Sequence, residues 1–140
     1  MIKRLKYVSQ SSTPMTDDEV EAIGRVSAEN NRHRGITGVL VEASGVFFQV
    51  IEGPHEAVDA LLDHIQRDPR HREVLVLSTM SNCGSRLFPD WAMKTVRVGN
   101  DDVRAEAIKL LLQTAIEARN RVTTLSRGIE RIVWGEVARG

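Results

Sequence analysis

The stretch "GITGVLVEASGVFFQVIEG", Gly35–Gly53, decides the fold. Ser44-Gly45 is a turn signal between two runs rich in β-branched and aromatic residues, so the stretch reads as a hairpin. In its second strand Phe47, Gln49 and Ile51 share one face, and Val46, Phe48 and Val50 share the other. Both faces are apolar apart from Gln49. Such a strand belongs at the centre of a sheet covered on both sides. An amide buried there without partners costs on the order of 1–3 kcal/mol per unsatisfied group, so Gln49 calls for a partner.

Working outward, "IKRLKYVS", Ile2–Ser9, has partial two-residue alternation and predicts a strand, with Leu5, Tyr7 and Ser9 on one face. Thr16 and Glu19 have capping-box spacing ahead of a helix that runs to about Asn31, with Val20, Ile23 and Ser27 on one stripe. Beyond the hairpin, "GPHEAVDALLDHIQRDP" predicts a second helix, with Pro54 at its first position and Pro69 as its stop. Glu73–Met80 reads as a fourth strand and Trp91–Val98 as a fifth. "GNDD", Gly99–Asp102, punctuates the chain, and two further helices are predicted, one from Asp102 to about Arg119 and one from about Leu125 to Val137.

The order βαββαββ defines an α+β, ferredoxin-like split βαβ fold with one extra strand. It implies a mixed five-stranded sheet with two helices on one face. The apolar second face of the third strand needs a cover, and the C-terminal helix pair is the expected one, with a partner subunit as the alternative. The division expected is a core domain over residues 1–98 and a helical extension over 99–140.

Composition narrows the function. The 140 residues carry 19 Lys plus Arg against 19 Asp plus Glu, which leaves no basic footprint for direct nucleic-acid binding. The single cysteine, Cys83, suits a reducing cytoplasm and excludes multi-cysteine metal sites. No apolar run approaches the roughly 18 residues of a membrane span, and the N-terminus lacks the apolar core of a secretory signal. His33, His55, His64 and His71 have no repeated metal-ligand spacing, and no nucleophile elbow, Walker loop or H-E-x-x-H is present. No enzyme is indicated. An acylphosphatase-like enzyme would share the topology but needs an anion-binding loop after the first strand, and "SQSSTPM" offers neither glycine nor arginine there.

The polar residues on the helix-facing side of the sheet are more telling. Tyr7 and Gln49 have the same orientation, and Ile23 and Ile65 point inward from the two helices. Asn30 and Asn31 end the first helix, and Asp68–His71 follow the second. Aliphatic walls, an amide and a phenol at the base and polar groups at the rim make a cleft suited to a planar heteroaromatic ligand.

The segments "LKYVSQS", "AENNRHRGITGVLVEASGVFFQVIEG", "HIQRDPRH" and "RLFPDWAMK", together covering roughly Met1 to Val98, resemble the BLUF family of blue-light sensors using flavin. That resemblance implies a noncovalent FAD, with FMN or riboflavin as possible substitutes, held between the two helices. Ile23 and Ile65 would sandwich the ring, Asn31 and Asn30 would meet its pyrimidine edge, and Asp68, Arg70 and His71 would lie near that edge or the ribityl chain. Tyr7 and Gln49 would form the photoactive pair, surrounded by Ser9, Trp91 and Met93. The implied protein is a bacterial photoreceptor whose red-shifted state is passed to a separate downstream protein or to a change of oligomeric state. A module on the same fold that holds flavin or another small ligand without photochemistry is the alternative.

Overall fold

The computed structural model describes residues 1–43, 45–98 and 103–139, apart from the side chains of residues 105, 108 and 112. Five strands and three helices follow one another as β1 (Ile2–Ser11), α1 (Asp17–Arg34), β2 (Thr37–Ala43), β3 (Val46–Pro54), α2 (His55–Arg67), β4 (His71–Cys83), β5 (Lys94–Val98) and α3 (Val103–Arg139). The sheet order is β4-β1-β3-β2-β5, with β5 parallel to β2 and every other pair antiparallel. This is the expected mixed five-stranded α+β architecture, and β3 lies at its centre.

Register carries the side chains to their places. Tyr7 pairs with Gln49, Gln49 with Leu40 and Leu40 with Thr95, so one row crosses four strands on the helix-facing side. Around that row a single core joins Leu5, Phe47 and Ile51 from the sheet with Val20 from α1 and with Val58 and Ile65 from α2. Gly38 allows β2 and β3 to approach, because a Cβ there would lie 2.0 Å from the Val50 carbonyl oxygen.

The helices begin and end for local reasons. Thr16 accepts from the Glu19 N–H, and the Glu19 carboxylate answers at the Thr16 N–H, which completes the capping box. The stop comes later than Asn31. α1 continues one more turn to Gly35, whose φ of 68° is left-handed and whose N–H caps the Asn31 carbonyl. Asn31 is therefore inside the helix, wholly buried.

Three further expectations need correction. β4 is longer than its apolar segment, extending from His71 to Cys83, because the β1 partner continues to Ser11. β5 begins at Lys94 and not at Trp91. Residues 91–93 are held irregularly instead, with Gly38 N–H donating to the Trp91 carbonyl at 2.8 Å and Asn31 Nδ2 to the Ala92 carbonyl at 2.8 Å. The expected C-terminal helix pair is one unbroken helix of 37 residues. "NRVTTL", Asn120–Leu125, has modest helix propensity but no glycine or proline to end a helix. The Thr124 hydroxyl bonds back to the Asn120 carbonyl at 3.0 Å, as Thr114 does to Leu110.

The cover of the second face is correspondingly partial. The first half of α3 packs there, with Ile116 buried and Arg119 bonded to Glu73 and to the Val74 carbonyl. Val8, Val46 and Val50 are buried on that face, whereas Val96 and Leu77 stay largely exposed. The predicted punctuation at Gly99–Asp102, the start of the extension at residue 99 and the turn residue Ser44 lie outside the described residues.

Candidate functional site

A cavity of about 360 Å³ opens between α1 and α2 above the helix-facing side of the sheet. Its floor is Tyr7, Leu40, Phe47 and Gln49, and Ile23 and Ile65 project into it from the two helices. Asn30, Asn31, Asp68, Arg70 and His71 complete its polar rim. The helices supply these groups by simple periodicity. On α2, Leu61, His64, Ile65 and the following Asp68 recur at i, i+3, i+4 and i+7, which is one helix face. On α1, Ile23, Ser27, Asn30 and Asn31 recur at i, i+4, i+7 and i+8, again one face.

At the base of the cavity lies a buried chain of polar contacts. Tyr7 is 1% exposed, and its hydroxyl donates to Gln49 Oε1. Gln49 Nε2 donates to Met93 Sδ at 3.3 Å, a weak acceptor. One amide N–H of Gln49 is left over for a ligand. Burial, with Asp68 adding a smaller push, raises the Tyr7 pKa well beyond its ordinary value, so the phenol keeps its proton at every physiological pH.

The rim is electrostatically ordered. Arg70 grips the Asp68 carboxylate with Nη2 at 2.6 Å and Nε at 3.0 Å, and this bond above all brings the Asp68 pKa down to about 2. Asp68 in turn raises the Arg70 pKa. His71 is lowered, chiefly by burial, against the pull of Asp68 and with a smaller push from Arg70. Its Nδ1 lies 2.8 Å from the buried Ser9 hydroxyl, and its ring meets Phe47 edge-on at 5.8 Å. Ser9 thus steadies His71, one step back from the cavity wall.

Trp91 is placed elsewhere. It is 41% exposed, stacked on Phe88 at 5.9 Å with Lys94 over its ring at 4.5 Å, and it does not line the cavity. Met93, two residues on, is buried against Gln49. The sequence reading missed several contributors. Met15, Val26, Leu40, Phe47 and Leu61 add apolar lining, and His64, which has no metal-ligand spacing, lines the cavity too. The helical spacing of Leu61, His64 and Ile65 carried that signal.

Glu52 was also missed. Its carboxylate is wholly buried and receives the backbone N–H of Leu87 at 2.9 Å and of Phe88 at 2.8 Å, with Arg4 Nε at 2.9 Å. Burial alone would raise its pKa, but these donors prevail and lower it. Arg86 adds bonds to Thr37 Oγ1 and to the Glu52 and Gly35 carbonyls. The segment that delivers Trp91, Ala92 and Met93 is therefore clasped at its start to the centre of the sheet.

Fold and cavity together define a ligand-holding α+β domain for a flat molecule with a polar edge. The residues fit a flavin ring on their own chemistry: apolar faces above and below, and an amide-and-phenol base beside a mixed donor–acceptor rim. The chain belongs to the BLUF family, sensors of blue light using FAD, whose pattern it matches over residues 2–94. It is 34% identical over 116 residues to the photoactivated adenylate cyclase subunit beta of Euglena longa, covering 81% of this chain and 13% of that protein. Among solved structures, a bacterial light-regulated adenylyl cyclase matches with a TM-score of 0.73 and 41% identity, over 89% of this chain and 36% of that one. The dark-state structure of BlrB, a BLUF protein, matches with a TM-score of 0.64 and 36% identity, over 69% and 72%. The chain thus spans only a small part of the curated relatives it matches. Among the described residues, no helix is long and apolar enough to cross a membrane.

Proposed function

We propose that the protein is a blue-light photoreceptor that holds FAD noncovalently between α1 and α2 and signals by rearranging the Tyr7–Gln49 hydrogen bond. FMN or riboflavin, which carry the same ring, are the alternatives. The observation that carries the reading is the buried line Tyr7–Gln49–Met93 at the cavity base. Simple binding needs no oxidisable phenol hydrogen-bonded to an amide that is itself shared between two partners.

When bound, the flavin supplies a strong photo-oxidant under blue light. Tyr7, on the cavity floor, would be the electron donor, and a phenol is strongly acidic once oxidised. The proton then has one protein acceptor in line, Gln49 Oε1. Gln49 can pass it on because an amide both donates and accepts. Turning the amide over would replace the donor facing Met93 with the amide oxygen, and exchanging its tautomer would leave Nε2 with one N–H and one lone pair; either changes which group faces the ligand edge. Electron and proton return to Tyr7, and only the hydrogen-bond pattern has altered. Ile23 and Ile65 keep water from the ring faces, Asn31 offers its amide oxygen while Nδ2 holds Ala92, and Asp68–Arg70 fixes the rim charge.

Met93 leads directly into β5, and Arg97 on that strand bonds both Glu42 and Asp17 at the start of α1. We propose that the altered pattern leaves by this route toward α3 and a separate effector protein. The family's occurrence beside cyclases supports an effector of some kind. A reducing cytoplasm is the compartment that the lone, buried Cys83 suits.

A light-minus-dark absorption spectrum of flavin-loaded protein tests the proposal. We expect a small, reversible red shift. Gln49→Leu should keep the flavin and lose the normal red-shifted state, and Tyr7→Phe should bind flavin yet fail to cycle normally. A spectrum unchanged by strong illumination would favour the non-photoactive binding module.

A further inference from the structure

Ser9 and His71 meet behind the cavity wall, and which of them donates follows from what surrounds each. His71 Nδ1 lies 2.8 Å from the Ser9 hydroxyl oxygen. Ser9 is wholly buried and does not line the cavity. Among the described residues its hydroxyl has no other hydrogen-bond partner. Burial lowers the His71 pKa against the pull of Asp68, so the neutral ring is the species to assign. A neutral imidazole carries one proton, and the hydrogen bond at one nitrogen decides which nitrogen holds it. Were Nδ1 protonated, it would donate to Ser9, and the hydroxyl's own hydrogen would be buried without an acceptor. A buried donor left unpaired is costly, whereas an oxygen with a spare lone pair is tolerated more readily. The hydroxyl therefore donates to Nδ1, and the ring hydrogen stands on Nε2. The two ring nitrogens diverge, which turns Nε2 away from Ser9. Nε2 has no protein partner among the described residues, yet no buried side-chain nitrogen there lacks one. Nε2 is thus open, on a ring that lines the cavity.

We propose that Ser9 is a positioning residue whose hydroxyl fixes His71 as the Nε2–H tautomer, so that the ring gives the cavity a hydrogen-bond donor and not an acceptor. The consequence is chemical selectivity at one point of the rim. A ligand facing His71 must offer an oxygen acceptor there, a carbonyl, hydroxyl or phosphate, and a ligand that brings an N–H is refused. Phe47 supports the assignment, since its ring meets His71 edge-on at 5.8 Å and opposes the ring flip that would put a carbon against Ser9. The register supports it too. Ser9 faces Phe47 across the β1–β3 ladder and Val74 across the β1–β4 ladder, so two neighbouring strands hold the hydroxyl's backbone in place. His71 opens β4, where it pairs with Ser11, and its backbone is equally fixed.

Two-bond proton–nitrogen correlation spectra of the isotope-labelled full chain, without ligand and in the dark, test the tautomer. They are recorded at about pH 8, well above the ordinary histidine pKa, with the His71 signals identified by their loss in His71→Gln. We expect one tautomer, protonated at Nε2, with the Nδ1 resonance moved upfield from that of an unbonded acceptor nitrogen. Ser9→Ala should return that resonance to the unbonded position. Ser9→Cys nearly keeps the shape of serine but is a weak donor, so it should do the same if the bond rather than the packing sets the ring. A wild-type ring protonated at Nδ1, or an Nδ1 resonance indifferent to both variants, would overturn the proposal. The ligand half rests on the flavin reading above. Adding FAD in the dark should move the Nε2–H proton downfield, and Ser9→Ala should weaken FAD binding about fivefold. FAD that binds without moving that proton would overturn the ligand half. A chain that takes up no FAD would overturn the flavin reading instead, while the tautomer is still read from the ligand-free protein.

Discussion

Gln49 spends its carbonyl on a phenol and one N–H on a thioether, which accounts for an amide in the central strand. Among the described residues no buried side-chain nitrogen or oxygen lacks a partner, so the amide carries no unpaired penalty. Asp68 permits a pH prediction. Its folded pKa, about 2, lies below its ordinary 3.8. The carboxylate therefore adds stability that is fully present above pH ~4 and lost as pH falls toward 2. Because Arg70 is itself half exposed, we expect the contribution to be about 1–2 kcal/mol rather than the full shift. Urea unfolding of the wild type and Asp68→Asn at pH 6 and at pH 2.5 should show a gap that narrows to about a third at the lower pH. Strand parity alone put Tyr7 and Gln49 on one face, and the BLUF resemblance implied their pairing. Asp68, Arg70 and His71 stood out only as a polar cluster after a helix, and their bonding depends on a turn that parity does not describe.

At the scale of elements, the β2–β3 hairpin and both sheet-packed helices were legible because each carries its own punctuation, Gly45, the capping box and Pro69, although the stop of α1 at Gly35 was placed a turn too early. The start of β5 was not. "WAMKTVRV", Trp91–Val98, alternates like a strand, yet its first two residues serve tertiary partners 53 and 61 positions earlier in the chain, at Gly38 and Asn31. Glu52 escaped notice for a similar reason, since its donors come from Leu87 and Phe88. Glu52→Gln replaces an acceptor with an N–H that faces other N–H groups and strands the Arg4 charge. We expect a loss of about 2–4 kcal/mol in unfolding free energy, measured by urea titration without flavin. In flavin-loaded protein the same variant should loosen Met93, which a changed dark-recovery rate would reveal.

Over the whole molecule, stability and length are separately distributed. The core joins the sheet to α1 and α2, and α3 adds to it only as far as Ile116 and Arg119. A chain ending at Arg121 should therefore keep the sheet signature in circular dichroism and bind flavin. Its thermal midpoint should lie within a few degrees of the full chain's, compared at a concentration where any dimer has dissociated. A large drop would mean that the distal half of α3 supports the fold. The sequence showed the apolar spacing of that half but not its continuity, because two threonines weaken a helix without ending it.

The amide at the base of the cavity has one further property. Its oxygen and its NH2 group occupy almost the same volume. Turned over or tautomerised, Gln49 presents the same outline to Leu40, Phe47 and Met93, and only its polarity is reversed. A close-packed interior resists changes of size far more than changes of sign. If Gln49 rearranges as proposed, the site stores a bit of information at the floor of the cavity without moving a wall. Hydrostatic pressure, which acts on volume, should leave the balance of the two states almost untouched.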